Sequence, residues 1–335
     1  MANRKFNWGI IGPGRIAHQF ADGLSVIEDA ALYAVASSRL ERAKSFAEQH
    51  AGEKTYDSYE ALVNDPQVDA IYIATPHRFH FDNALLCLKA GKPVLCEKPL
   101  TVNAAEAQQL IETARANNVF LMEALWTRYL PIYQQIRQWL EARAIGDLRL
   151  LVSTFGINVP KEPDERWLNP ELAGGTLLDM GVYPIAVSQW VMGQMPQSFS
   201  ATAYLGKTGV DELTAATLKY ENGVISQFSS NFISDNANDF FIYGSTGHIR
   251  IHANYWAATQ ATLVAQSTPG ADEQTLTVSK PFRGGGFEYQ IEEAMRCICA
   301  RLLESPGMSH AHTLANMELM DKIRAEIGLK YPFEK

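Results

Sequence analysis

The sequence predicts an α/β protein in two parts, a doubly wound parallel sheet followed by a second α/β domain on a largely antiparallel, open sheet. Three observations carry this. Short apolar runs alternate with helical patterns through roughly the first 120 residues. A Gly-x-Gly-x-x-Ala turn joins the first run to the first helical pattern. From about residue 149 the rhythm changes to hairpins. At 335 residues the chain also exceeds the ~250–300 at which one core stops growing, so two domains are expected, 1–124 and 125–335.

The strands of the first part are read at 6–12, 31–37, 70–75, 93–98 and 119–124, each apolar and rich in β-branched or aromatic residues. Between them lie segments with apolar residues at spacings of three and four and with Gly or Asn stops, which read as helices. Such alternation implies parallel strands with helices on both faces. In the second part, 213–220 and 224–232 flank an Asn222-Gly223 turn, and "DFFIYG-STG-HIRIHA" repeats the device with Gly244 and Gly247. "RLLVSTFGINV", "SFSATAYLG", "ATLVAQS" and "EQTLTVSK" supply further strands. Helices at roughly 286–304 and 311–327 close the chain and are expected to pack back on the first domain.

Composition narrows the partners. A net charge of −8 with no stripe of Lys and Arg argues against nucleic acid, which leaves small molecules. No apolar stretch approaches the ~20 residues needed to span a bilayer, and the beginning of the chain lacks a secretory pattern, so a cytoplasmic location is expected and no membrane partner. Cys87, Cys96, Cys297 and Cys299 sit in apolar segments, which suits a reducing compartment. Cys297 and Cys299 read as two packed thiols, and no metal site is expected.

Gly12-Pro13-Gly14-Arg15-Ile16-Ala17 has the form of a dinucleotide-binding turn. Gly12 permits the tight turn, Gly14 lets a pyrophosphate approach the helix N-terminus, and Ala17 allows close packing of helix on sheet. The alternative is a glycine turn that only connects two elements. The second strand ends at Ser37-Ser38-Arg39, without the carboxylate that would bind the ribose hydroxyls of NAD. Two hydroxyls and a guanidinium suit a 2′-phosphate, so NADP is the expected cofactor, NAD less so. The competing reading makes Ser38 the cap of a helix starting near Leu40.

Lys98 follows a strand at its carboxyl end, where doubly wound sheets bind ligands, and Pro99 disfavours helical backbone there. An ammonium so placed can stabilise negative charge on a substrate oxygen, or else pair with Glu97. Downstream, if 176–183 is helical, Asp179 and Tyr183 are four residues apart and share a face, with Gly181 leaving room beside them. A phenol near an ammonium can give or take a proton. Pro184 forbids an undisturbed helix at this point. An aromatic side chain packed on an amphipathic helix is the plainer account of Tyr183.

With "GIIGPGRIA", "SYEALVNDPQVDAIYIATPHRFH", "GKPVLCEKPLTVNAAEA", "FLMEALWTRYLP", "AGGTLLDMGVYP" and "EIGLKYPFEK", the chain resembles the Gfo/Idh/MocA oxidoreductases over nearly its whole length, and within them the dimeric dihydrodiol and D-xylose dehydrogenase branch. The resemblance implies an N-terminal Rossmann domain and a catalytic pair of Tyr183, as acid–base, and Lys98, tuning it, with Asp179 as a substrate-side or orienting carboxylate. It places Thr75, Pro76 and His80 beside the cofactor and Glu97 at the nicotinamide ribose, whereas His77 reads as an exposed loop side chain. Trp126 and Arg128 resemble the segment packed near the reactive end of the cofactor, although Trp126 also suits a core position. Where the wider family often has histidine in place of Tyr183 and an aspartate three residues on, this chain has Tyr183 and Ala186. The expected activity is NADP-dependent hydride transfer at a secondary hydroxyl or carbonyl of a small sugar, polyol or trans-dihydrodiol, in a homodimer. A non-catalytic NADP-sensing regulator and a keto-sugar reductase of the anhydrofructose type are the alternatives.

Overall fold

A computed structural model of the chain describes residues 4–160, 165–268 and 270–334. It divides into two compact units, Met1–Trp126 with Arg283–Met317, and Thr127–Phe282 with Glu318–Lys335.

The first unit runs β1 (Phe6–Ile11), α1 (Arg15–Ser25), β2 (Ala30–Ala36), α2 (Leu40–Gln49), β3 (Lys54–Tyr56), α3 (Tyr59–Val63), β4 (Ala70–Ile73), α4 (His80–Lys89), β5 (Val94–Glu97), α5 (Ala104–Asn117) and β6 (Leu121–Ala124). All six strands are parallel, in the order β3-β2-β1-β4-β5-β6. The strand order reverses between β1 and β4, and the crevice beyond the carboxyl ends at such a reversal is where doubly wound sheets take their ligands. β4, β5 and β6 are buried along their whole length, which explains their continuous apolar runs. Beneath the sheet, Phe20 of α1 stacks on Tyr72 of β4 at 3.8 Å and 9°, a pairing worth about 1 kcal/mol beyond its buried area.

α5 shows how sequence sets an element's ends. Asn103 accepts from the Glu106 N–H at 2.9 Å and the Glu106 carboxylate accepts from the Val102 N–H at 3.3 Å, a side-chain cap worth about 1 kcal/mol. The helix stops at Asn118 in the left-handed conformation (φ 54°).

The second unit contains α6 (Pro131–Glu141), β7 (Leu148–Gly156), α7 (Val182–Met192), β8 (Ser198–Leu205), β9 (Asp211–Lys219), β10 (Ile225–Asn231), β11 (Phe240–Gly244), β12 (Gly247–Ile251), β13 (Gln260–Gln266) and β14 (Glu273–Ser279). Its eight-stranded sheet has the order β14-β13-β12-β11-β7-β10-β9-β8. Pairing is antiparallel except between β7 and β10. At the β9–β10 hairpin Tyr220 faces Val224 across a three-residue loop, in which Asn222 and Gly223 both take positive φ, 48° and 75°.

Two helices end the chain, α8 (Glu288–Cys299) and α9 (His310–Ile327). α8 belongs to the first unit and packs on α1. Its approach is fixed by the buried Glu288 carboxylate, which accepts from the backbone N–H groups of Arg283, Gly284 and Gly286 at 2.7–3.0 Å. The two thiols of α8 differ from expectation: Cys297 is buried and Cys299 exposed, because residues two apart on a helix point about 200° from one another.

Candidate active site

In the first unit the fingerprint turn has the geometry its glycines require. Gly12 has φ +84°, and a Cβ there would lie 2.8 Å from Thr75 Cγ2 and 3.0 Å from the Thr75 backbone nitrogen, so only glycine fits without strain. Pro13 is buried, Arg15 exposed and Ile16 half-buried. Gly14 is the extended N-cap of α1; no side chain caps that helix and no acidic residue stands in its first turn. A Cβ on Gly14 would meet nothing closer than 3.9 Å. The turn therefore offers an open, uncapped helix N-terminus, which fits a pyrophosphate.

At the end of β2, Ser37 is buried while Ser38 and Arg39 are exposed. The Arg39 N–H donates to Ser37 Oγ at 3.2 Å and Arg39 itself is the N-cap of α2, so Ser38 is not the cap. Arg42, three residues along on α2, reaches back to the Pro13 carbonyl at 3.5 Å. The Tyr59 phenol, pushed up in pKa by burial, faces the Ser38 backbone and Arg42. The basic pair Arg39 and Arg42 thus stands at the start of α2, with Arg42 against the glycine turn. Arg42 was within reach of sequence reading as the second basic residue in the first turn of the helix that follows β2.

The loop after β4 departs from expectation at its histidines. His77 is buried rather than exposed, 5.7 Å from the His80 ring. His80 is wholly enclosed, its Nδ1 2.8 Å from the Pro99 carbonyl and its Nε2 2.8 Å from the Thr75 carbonyl. Burial drives its pKa down to about 3, against the two carbonyls. With no exposed surface, His80 does not present itself to a ligand; it ties the loop after β4 to the turn after β5. Thr75 and Pro76 remain half-exposed at the loop surface.

β5 ends in Glu97, whose carboxylate accepts from the buried Tyr72 hydroxyl at 2.5 Å and from the Lys98 backbone N–H at 3.3 Å. Lys98 is half-buried just past the strand end, and the Lys98–Pro99 peptide is cis. Tyr72 lies inside an unbroken apolar strand, so nothing in the sequence marked it as the partner of Glu97. Trp126 is 7% exposed and packs on Phe287 at 4.7 Å. Gly12, Gly14, Ser37, Thr75, Glu97 and Lys98 all lie at or just beyond the carboxyl ends of β1, β2, β4 and β5.

The second unit holds Asp179, Tyr183 and Arg128. Residues Leu177–Gly181 form a π-helical turn that runs directly into α7, so the condition that 176–183 be one regular α-helix is not met. Pro184 supplies the reason: it has no N–H to give to the carbonyl four residues back, and the turn before it widens. Every residue from Val182 to Gln189 is buried, which makes α7 apolar all round rather than amphipathic. Arg128 Nη2 donates to the Ala186 carbonyl of α7 at 3.3 Å. Asp179 is paired with Arg166 at 3.4 Å, and the Arg166 guanidinium lies 3.8 Å over the Trp167 ring.

Tyr183 is 6% exposed and faces an aromatic wall. Its ring lies 5.7 Å from Phe155, at the end of β7, and 6.5 Å from Trp256; these two stack on each other at 3.4 Å and 9°. Thr127 Oγ1, donating to the Trp256 carbonyl at 2.6 Å, and the Tyr133 hydroxyl, donating to the Tyr255 carbonyl at 2.9 Å, hold that turn in place. Phe155 and Trp256, beside Tyr183, and Arg166, beside Asp179, were missed by sequence reading, because they come from separate segments with no shared spacing. Among the described residues no cluster of His, Cys, Asp and Glu is arranged to hold a metal, and no helix is long and apolar enough to cross a membrane.

The doubly wound sheet and its glycine turn define a dinucleotide-binding Rossmann unit, followed by a second α/β unit on a largely antiparallel sheet. The chain belongs to the Gfo/Idh/MocA family: residues 6–125 match the oxidoreductase family model with the NAD-binding Rossmann fold, and residues 133–250 match the family's C-terminal domain. It is 38% identical over 328 residues to trans-1,2-dihydrobenzene-1,2-diol dehydrogenase of Xenopus tropicalis, covering 97% of this chain and 99% of the relative. It is 36% identical to the Sus scrofa enzyme of the same name, with 98% of each chain covered. Among solved structures it is similar to a 3-ketoreductase from Actinomadura kijaniata in complex with NADP and TDP-benzene, at 26% identity and a TM-score of 0.86, covering 97% of this chain and 98% of that one. The protein is an oxidoreductase acting on CH–OH groups.

Proposed function

We propose that the protein is an NADP-dependent dehydrogenase or reductase that acts on a secondary hydroxyl or carbonyl of a cyclic trans-diol, sugar or polyol. The observation that carries the reading is Tyr183, buried in the first turn of α7 directly after the π-helical turn that holds Asp179, and facing the stacked Phe155 and Trp256 rings. Those rings suit a cyclic substrate, since the apolar face of a diol ring or the C–H face of a sugar packs on an aromatic plane. The names of the diol dehydrogenase relatives support the first, and the name of the 3-ketoreductase supports action at a carbonyl in the reductive direction. When bound, the nicotinamide accepts the hydride on oxidation and supplies it on reduction. Tyr183 takes the hydroxyl proton on oxidation and returns it on reduction. The Lys98 ammonium stabilises negative charge on the reacting oxygen. Asp179, held by Arg166, accepts a hydrogen bond from a neighbouring hydroxyl and so fixes which carbon reacts.

NADP rather than NAD is supported by Arg39 and Arg42 beside the fingerprint turn and by the absence of a carboxylate at the end of β2. Four free cysteines accord with a cytoplasmic location. A homodimer is supported by the second sheet, where Val152, Thr154, Ala215, Thr217, Gln227 and Ser229 of adjacent strands leave an uncharged, partly exposed face.

Tyr183→Phe tests the assignment. Turnover should fall by on the order of 10²–10⁴ while NADPH, followed by its fluorescence, binds as in the parent. Parental turnover in the variant would remove Tyr183 from the chemistry.

A further inference from the structure

Two buried polar side chains of the second unit, Asp211 and Tyr331, take no part in the chemistry proposed above, yet Asp211 reaches the first residue of the Leu177–Gly181 turn and Tyr331 the stretch just before it. We infer that Asp211 and Tyr331 are positioning residues that set where Asp179 and Tyr183 stand. This rests on the reading of Tyr183 as the proton-transfer group.

Asp211 opens β9 and has no exposed surface. Its Oδ2 accepts from the Leu177 N–H at 2.7 Å and from Thr214 Oγ1 at 2.6 Å. Leu177 is the first residue of the π-helical turn, so one carboxylate oxygen anchors the start of the segment that carries both site residues. The other oxygen has no hydrogen-bond partner among the described residues and lies against Gly175, where a Cβ would come within 2.2 Å of it and φ is +112°. Gly175 is thus the form of residue that lets the backbone close onto the carboxylate. Burial pushes the Asp211 pKa up to about 7, despite hydrogen bonds that favour the ionised form.

Tyr331 secures the preceding residue. It is 1% exposed and donates to the Gly174 carbonyl at 2.6 Å. Gly174 is itself enclosed, since a Cβ there would lie 2.7–2.9 Å from the carbonyl oxygens of Trp167, Arg166 and Asn169. The tail that carries Tyr331 is fastened by Arg324, 6% exposed, which donates to both Glu334 oxygens at 2.8 and 2.9 Å and to Asp321 at 3.0 Å. Its guanidinium lies 5.3 Å from the Tyr331 ring, and the Tyr331 N–H donates to Glu334 at 3.0 Å. The segment 328–334 is in this way a clasp on Gly174, and with the Asp211 anchor it holds the start of the turn that follows. Misplacing a reacting group by about 1 Å costs on the order of 10²-fold in rate.

The test compares Asp211→Ala, Asp211→Asn and Tyr331→Phe with the parent. Measured are kcat with NADP and trans-1,2-dihydrobenzene-1,2-diol or D-xylose, the NADPH dissociation constant, melting temperature, and amide hydrogen exchange over 177–183. Asp211→Ala and Tyr331→Phe are expected to lower kcat about tenfold or more, with the NADPH constant within about twofold, and to speed exchange over 177–183 by about tenfold or more. Asp211→Asn, which keeps an oxygen for Leu177 and Thr214, is expected to recover most of both. If kcat and exchange stay within about twofold of the parent and only the melting temperature falls, the two residues are merely structural and the inference fails. Where Asp211→Ala does not fold, Tyr331→Phe and Asp211→Asn decide by the same readouts. Tyr183→Phe is run beside them. Parental turnover there sinks the underlying reading, whereas an inactive Tyr183→Phe with unaltered Asp211 and Tyr331 variants sinks this inference alone.

Discussion

Asp211→Asn should change how the stability of this protein depends on pH. The folded carboxyl titrates near pH 7 against 3.8 in an unperturbed aspartate, raised by burial. Raising the carboxyl from 3.8 to about 7 corresponds to about 4 kcal/mol. The sign follows from which state holds the proton. The folded protein keeps a proton on Asp211 through the range where the unfolded chain has already released it, so stability is fully present below about pH 4. It is lost as pH rises and the loss is complete once the folded group ionises near pH 7. Asparagine has the same shape and no titration, and every other ionisable group is common to the two chains and cancels in their difference. Urea unfolding of parent and variant, at fixed ionic strength, should therefore show the variant gaining about 3 kcal/mol on the parent between about pH 4.5 and pH 8. A difference that stays constant over that range would falsify the idea that Asp211 is a buried acid protonated below neutrality. A difference that shrinks as pH rises would mean a carboxylate stabilised by its hydrogen bonds, with a lowered pKa.

Two further outcomes are expected in the first unit. Gly12→Ala forces a left-handed alanine, about 1–2 kcal/mol, and drives its Cβ to 2.8 Å from Thr75 Cγ2; the melting temperature should fall and NADPH titration should show at least about tenfold weaker binding, and unaltered affinity would mean that the turn does not cradle the cofactor. Arg39→Glu should lower kcat/KM with NADP by about 10–100-fold, the worth of a charge-assisted pair replaced by a repulsion, and leave the value with NAD within a few-fold. Equal losses with both cofactors would show that Arg39 meets no 2′-phosphate.

The first unit was legible in the sequence because its strands are buried on both faces and so appear as unbroken apolar runs. β3 was not, since Lys54–Tyr56 is a three-residue edge strand with a lysine exposed at one end, and periodicity needs more residues than that. α6 carries its own signal, Pro131 at the first position with Ile132, Tyr133, Ile136 and Trp139 on one buried face. In the second unit the Asn222-Gly223 turn predicts its hairpin directly, because both positions need positive φ. The parallel pairing of β7 with β10 had no such marker: it joins segments about 70 residues apart, and alternation along a strand says which face is buried but not which neighbour lies alongside.

The site divides along the same physical line. Gly12, Gly14, Lys98 and Tyr183 stand out because each occupies a place that local backbone geometry singles out: a turn that needs glycine, a strand end before proline, a helix that proline interrupts. What the sequence hid are the residues whose role is set by three-dimensional contact. His77 and His80 stand three apart, and no spacing rule says which imidazole will be clamped between two carbonyls. Asp211 begins "DELTAATLK", where it reads as a solvated acid at the mouth of a strand, yet it has no exposed surface. Its environment is made by Gly175, Leu177 and Thr214, with Tyr331 two residues' reach away on Gly174, and only the folded second unit brings these together. A motif reports groups that local chain geometry places; a burial-shifted acid reports groups that packing places. The functional side chains of this protein that lie outside its motifs are therefore to be sought among its buried polar atoms.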